Sequence, residues 1–219
     1  MKKKVLSIFL VVAMIAIAAM GTLAYFTDTD DATNVFTIGS VDIELLESTL
    51  HRDNDEATDE DIIADAEEYQ DYLAEAGEKM VPGRWVNKAP YINNIGNNPA
   101  FVRLKVTFAD NLFDAFTIEL YEEAFEEGAI VMDNGVDNGD GTVTYTFTFT
   151  EALDPDTVTY YAPFWRFKIL DSADNADLAD FAGVENIITV VAEAIQSEGF
   201  EGDYEAAFAA FDNQTLPIV

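Results

Sequence analysis

The chain has 219 residues with 42 acidic against 11 basic ones, a formal charge of −31, and neither a cysteine nor more than one histidine. This balance repels the phosphate backbone of nucleic acids and excludes disulfides, thiolate ligands and His-rich zinc sites. With 16 Phe and 9 Tyr it is too aromatic for a disordered acidic chain and can fill a core.

The chain opens with Lys2, Lys3 and Lys4, then an uncharged apolar run from Val5 to Met20, then Gly21-Thr22-Leu23-Ala24. Basic start, apolar centre and small-residue exit predict a secretory signal peptide over residues 1–24, cut between Ala24 and Tyr25. A membrane anchor fits less well, because Asp28, Asp30 and Asp31 follow at once and no basic stop-transfer segment does. Cleavage removes three basic residues and no acidic one, leaving an exported chain of formal charge −34 with no hold on a membrane.

Residues 25–34 are small and polar after Tyr25 and Phe26. In the next stretch Val41, Ile43 and Leu45 alternate with Asp42 and Glu44, the period of a half-buried strand. Residues 51–79 carry twelve acidic side chains; Ile62, Ala66, Tyr69 and Leu73 share one helical face. An acidic helical insertion is expected from Asp59 to Ala76, capped by Gly77, covering one side of a β-fold. His51, alone at its start, is expected to be solvated.

Val81-Pro82-Gly83 is a turn, and residues 85–95 read as extended, with Pro90 confining them to an edge or bend. Beyond a second turn over Asn94–Pro99, Val102, Leu104 and Val106 face one way and Arg103, Lys105 and Thr107 the other. Residues 110–127 give no settled type. Asp137-Asn138-Gly139-Asp140-Gly141 is a hairpin signal, and Val143, Tyr145, Phe147 and Phe149 line one face of the strand after it. Apolar runs at 157–170 and 187–195 add strands, and Tyr204, Phe208 and Phe211 mark a C-terminal helix with an aromatic face. The expected fold is mainly β: residues 25–219 as one antiparallel, jelly-roll-like β-sandwich with the helical insertion and the terminal helix.

One histidine gives no HExxH pair and no serine triad without His51; no GxSxG elbow or phosphate-cradling loop is present. Carboxylates are so many that no glycosidase pair stands out. Asp133, Asp137 and Asp140, set among Asn and Gly, could ligate calcium, but the same residues make an ordinary hairpin turn.

Leu23-Ala24-Tyr25-Phe26-Thr27-Asp28 and Asn34-Val35-Phe36-Thr37-Ile38-Gly39-Ser40-Val41-Asp42-Ile43 resemble the leader region of the TasA/camelysin family. The likeness continues at Pro82-Gly83, Asn94-Ile95-Gly96, Pro99-Ala100-Phe101-Val102-Arg103 and residues 188–196, over about half of the exported chain; residues 51–79 have no counterpart. The resemblance implies export in a Gram-positive bacterium through a SipW-type signal peptidase, and a head-to-tail homopolymer forming biofilm-matrix or cell-surface fibres. It also implies a donor strand, drawn from the segment that holds Tyr25, Phe26, Val35, Phe36 and Ile38, which adds to the next subunit. Camelysin is classed as a metallopeptidase, an activity that one histidine does not support here. A monomeric exported module, calcium-dependent or adhesive, is the alternative. The ending Thr215-Leu216-Pro217-Ile218-Val219 lacks an LPxTG signal, so attachment is expected to be non-covalent or through an anchoring matrix protein.

Overall fold

The computed structural model describes residues 27–31, 41–52, 56–78, 81–181 and 187–213. They form a mainly β, antiparallel sandwich. One layer is a sheet in the order β1 (Thr27–Asp31), β12 (Ile188–Gln196), β5 (Ala100–Ala109), β9 (Thr142–Phe149) and β7 (Ile130–Met132), with β8 (Val136–Asp137) also on β9. The other layer comprises two three-stranded sheets: β10 (Thr157–Val158), β4 (Ala89–Asn94) and β2 (Ile43–Ser48), and β3 (Trp85–Asn87), β11 (Phe164–Ile169) and β6 (Phe116–Leu120). The Lys88 N–H donates to the Trp165 carbonyl (2.8 Å), tying these two sheets together.

The alternation on β5 works as expected: Val102, Leu104 and Val106 are fully buried between the layers. They meet Phe147 and Phe149 from β9, Ala192 and Ala194 from β12, and Ile43, Ile92, Phe116 and Phe164 from the facing sheets. The 137–141 hairpin also forms, with Gly139 and Gly141 in the left-handed region (φ +76° and +85°) that its turn requires. Pro90 sits on the middle strand of its sheet. However, β10 reaches only Asn93 and Asn94, so no strand on that side needs a proline N–H.

Helix α1 (Asp59–Glu78) begins at a capping box, in which the Thr58 hydroxyl accepts from the Asp61 N–H (3.2 Å) and Asp61 accepts from the Thr58 N–H (2.9 Å). The helix runs through Gly77, which therefore does not cap it. Ile62 and Tyr69 are buried as their spacing predicts, and Ile62 packs with Leu46, Ala89 and Tyr91 on the outer side of β2 and β4. The unassigned stretch 110–127 forms α2 (Leu112–Ala115), strand β6 and α3 (Glu122–Glu126). His51 is not solvated. It is 6% exposed, edge-on to Tyr121 (4.5 Å) and tilted against Trp165 (5.0 Å). Its acidic neighbours in sequence concealed an aromatic pocket supplied from far along the chain, by Tyr121 at the start of α3 and Trp165 on β11.

Candidate functional site

The β1–β12 edge is where the amino-terminal segment meets the fold. β12 alternates between the two faces of its sheet: Ala192 and Ala194 enter the main core, while Ile195 packs outward with Phe101 and Phe208. One side of β12 is satisfied by nine residues of register with β5, from Ile188↔Phe108 to Gln196↔Ala100. Among the described residues its other side is covered by β1 alone, antiparallel, from Thr27↔Ile195 to Asp31↔Val191. β1 thus closes an edge whose amides and carbonyls would otherwise stand open.

Above this edge lies α4 (Tyr204–Asp212), capped by Asp203, which accepts the Ala206 N–H (2.8 Å). Phe208 rests on Phe101 and Ile195. Arg103, read from sequence as outward-facing, is 5% exposed beneath the helix. Its guanidinium lies 4.4 Å from the Phe208 centroid, donates to Glu193 (2.6 Å) and forks onto Asp212 (3.1 and 2.5 Å). Lys105 also donates to Glu193 (2.8 Å). Burial works against the Arg103 charge, but Asp212 and Glu193 outweigh it and raise its pKa. The Arg103 hydrogen bond in turn holds the Asp212 carboxyl below the usual range. Glu193, opposite Thr29 in the register, joins this network to the edge. In the sequence, the only signal for it was a cation on a strand paired in composition with an aromatic terminal helix.

Of the residues singled out from sequence, Ala24, Tyr25, Phe26, Val35, Phe36 and Ile38 lie outside the described residues. The three aspartates each engage their own turns. Asp133 accepts from the Gly135 and Thr146 N–H groups (2.9 and 3.0 Å), Asp137 from Gly139 (2.8 Å), and Asp140 from the Thr142 N–H and hydroxyl (3.0 and 2.6 Å). Among the described residues no group of three or more His, Cys, Asp or Glu is drawn together to hold a metal ion. A cleft of about 520 Å³, lined by Glu127, Glu151, Asp154, Tyr160 and Tyr161 among others, opens elsewhere. Among the described residues no helix is long and apolar enough to cross a membrane.

No family model matches the sequence, and no curated protein matches it. Among solved structures, a chain of the CaDoc0917–CaCohA2 complex, crystallised at pH 5.5, is similar over 42% of this chain and 67% of that one. The identity is 19% and the TM-score 0.27, a likeness too slight to bear on fold or partners.

Proposed function

We propose that this chain is a secreted structural protein, a subunit of extracellular biofilm-matrix or cell-surface fibres that assemble by amino-terminal strand addition. The single observation that carries this reading is the seat of β1 on β12. Thr27-Asp28-Thr29-Asp30-Asp31 has no apolar side chain, so its hold is through main-chain pairing. A main-chain ladder is indifferent to which copy supplies the strand. Within one chain, β1 closes its own edge; supplied by a neighbour, the same pairing makes a heterologous contact that repeats into a filament. His51, enclosed by Tyr121 and Trp165, is a packed core residue, and the reading taken from the family resemblance here is the fibre rather than the peptidase.

The test uses a chain that has no cysteine of its own. Asp31 and Val191 are directly opposed, a spacing of about 4.5–5.5 Å between Cα atoms that a disulfide can bridge. Mixing Asp31→Cys chains with Val191→Cys chains under oxidising conditions should give covalent heterodimers. The double variant should become locked and stop forming fibres seen by electron microscopy. Bonds that form only within single chains of the double variant, and never between the mixed chains, would defeat the proposal. They would favour a monomeric binding module using the Tyr160–Tyr161 cleft.

A further inference from the structure

Three lysine–carboxylate pairs occur among the described residues: Lys88–Glu47, Lys105–Glu193 and Lys168–Asp171. In two of them the charges are shared or wet. Glu193 already serves Arg103, and the Asp171 side chain is 76% exposed. Lys88 and Glu47 are different. Their side chains are 9% and 22% exposed, they touch each other directly, and the Tyr69 ring stands 5.6 Å from the ammonium.

The geometry points to a covalent modification at this contact, an isopeptide bond between Lys88 Nζ and Glu47 Cδ. A buried ion pair bears the desolvation of two charges, and a neutral amide removes both. Proton transfer within the pair gives an amine and a carboxylic acid. The Nζ–Cδ bond then forms, a Cδ–O bond breaks, and that oxygen leaves with two protons as water; nothing is oxidised or reduced. Bulk water favours the reverse reaction. Here water is largely excluded, and fixed contact supplies an effective concentration that reaches about 10⁵–10⁸ M in well-aligned cases.

Tyr69 walls the site on the side of the ammonium. It is 1% exposed, and its hydroxyl has no hydrogen-bond partner. Burial, assisted by the Glu47 charge, raises its pKa, so the ring stays neutral and adds no second negative charge beside the pair. The bond would join β2 to the residue between β3 and β4, whose N–H already reaches β11. It would staple the two three-stranded sheets in a chain without cysteines. This inference is independent of strand exchange, and the two tests fail separately.

The experiment is an intact mass of the purified, denatured chain, set against the mass its sequence requires from the N-terminus found. The expected result is a deficit of one water, with a branched tryptic peptide joining Glu47 to Lys88 and no cleavage after Lys88. Lys88→Arg keeps the charge without an attacking amine and should restore the full mass. An unmodified wild-type mass would overturn the inference. So would a water deficit that persists in Lys88→Arg, which would place the dehydration elsewhere, as in the Asp140–Gly141 turn. Should Lys88→Arg fail to fold, the branched peptide from the wild type decides the matter alone.

Discussion

Arg103 on β5 and Asp212, the last residue of α4, are joined by a two-pronged hydrogen bond of 3.1 and 2.5 Å across 109 residues of sequence. A carboxylate at a helix C-terminus opposes the helix dipole, and Asp212 is tolerated there because Arg103 meets it. The Asp212 pKa lies below its ordinary value, so its contribution is present above the ordinary carboxylate range and is lost as pH falls through the lowered value. Glu193 and Lys105 face the same guanidinium network, and Glu193 keeps Arg103 anchored when Asp212 is neutralised. We expect hydrogen exchange in α4 to quicken on acidification and Asp212→Asn to flatten that response. Because the Asp212 side chain is 55% exposed, the change should cost only about 0.5–1 kcal/mol.

His51→Ala should destabilise the fold by about 2–3 kcal/mol, the scale of emptying a buried ring position. The imidazole lies between Tyr121 and Trp165, which belong to separate parts of the chain. Chemical denaturation followed by tryptophan emission checks this, since Trp165 borders the cavity. A solvated surface histidine would give no measurable change.

The β-architecture was legible because strands expose their period. β5 and β9 each place one residue type inward, and Val102, Leu104, Phe147 and Phe149 are buried as that alternation requires. The start of α1 was legible from its apolar face, whereas the Thr58–Asp61 cap was not read and the Gly77 cap did not form. What could not be read were contacts made across long sequence distance. Arg103 looks like a surface cation until α4 is laid over it, and His51 looks solvated until Tyr121 and Trp165 arrive. The division of the second layer into two sheets was equally hidden, since β3 and β4 read as one extended run interrupted by Lys88. At the candidate edge, the resemblance pointed to the amino-terminal segment, and the register of Thr27–Asp31 with β12 had no signal in the sequence.

The acidic insertion bears structural weight as well as charge. Ile62 is fully buried against Leu46, Ala89 and Tyr91, so α1 is a lid over apolar strand faces. Ile62→Ala should cost about 2–5 kcal/mol. Deleting 51–79 should lower the melting temperature and expose a surface that binds a hydrophobic dye. Retention of wild-type stability after the deletion would mean that the helix contributes charge alone.

The proposed assembly must also overcome electrostatics. Arg52, Lys88, Arg103, Lys105, Arg166 and Lys168 each pair with a carboxylate of their own chain. They are therefore committed at home, while the chain as a whole carries a large acidic excess. Copies approaching to exchange β1 repel one another, and that repulsion is long-ranged when ions are few. The screening length shortens from ~30 Å at 0.01 M salt to ~8 Å at 0.15 M. Fibre yield should therefore rise with ionic strength, rise further with divalent cations at equal ionic strength, and rise again as acid protonates surface carboxylates. Acid also loosens α4 through Asp212, which lies over β12, so the pH effect should exceed that of salt alone. Light scattering and electron microscopy across a grid of salt, calcium and pH measure these trends. A yield that stays flat over that grid would mean that subunits meet through surfaces where the acidic excess is not felt, and the edge bordered by Asp28, Asp30 and Asp31 is not such a surface.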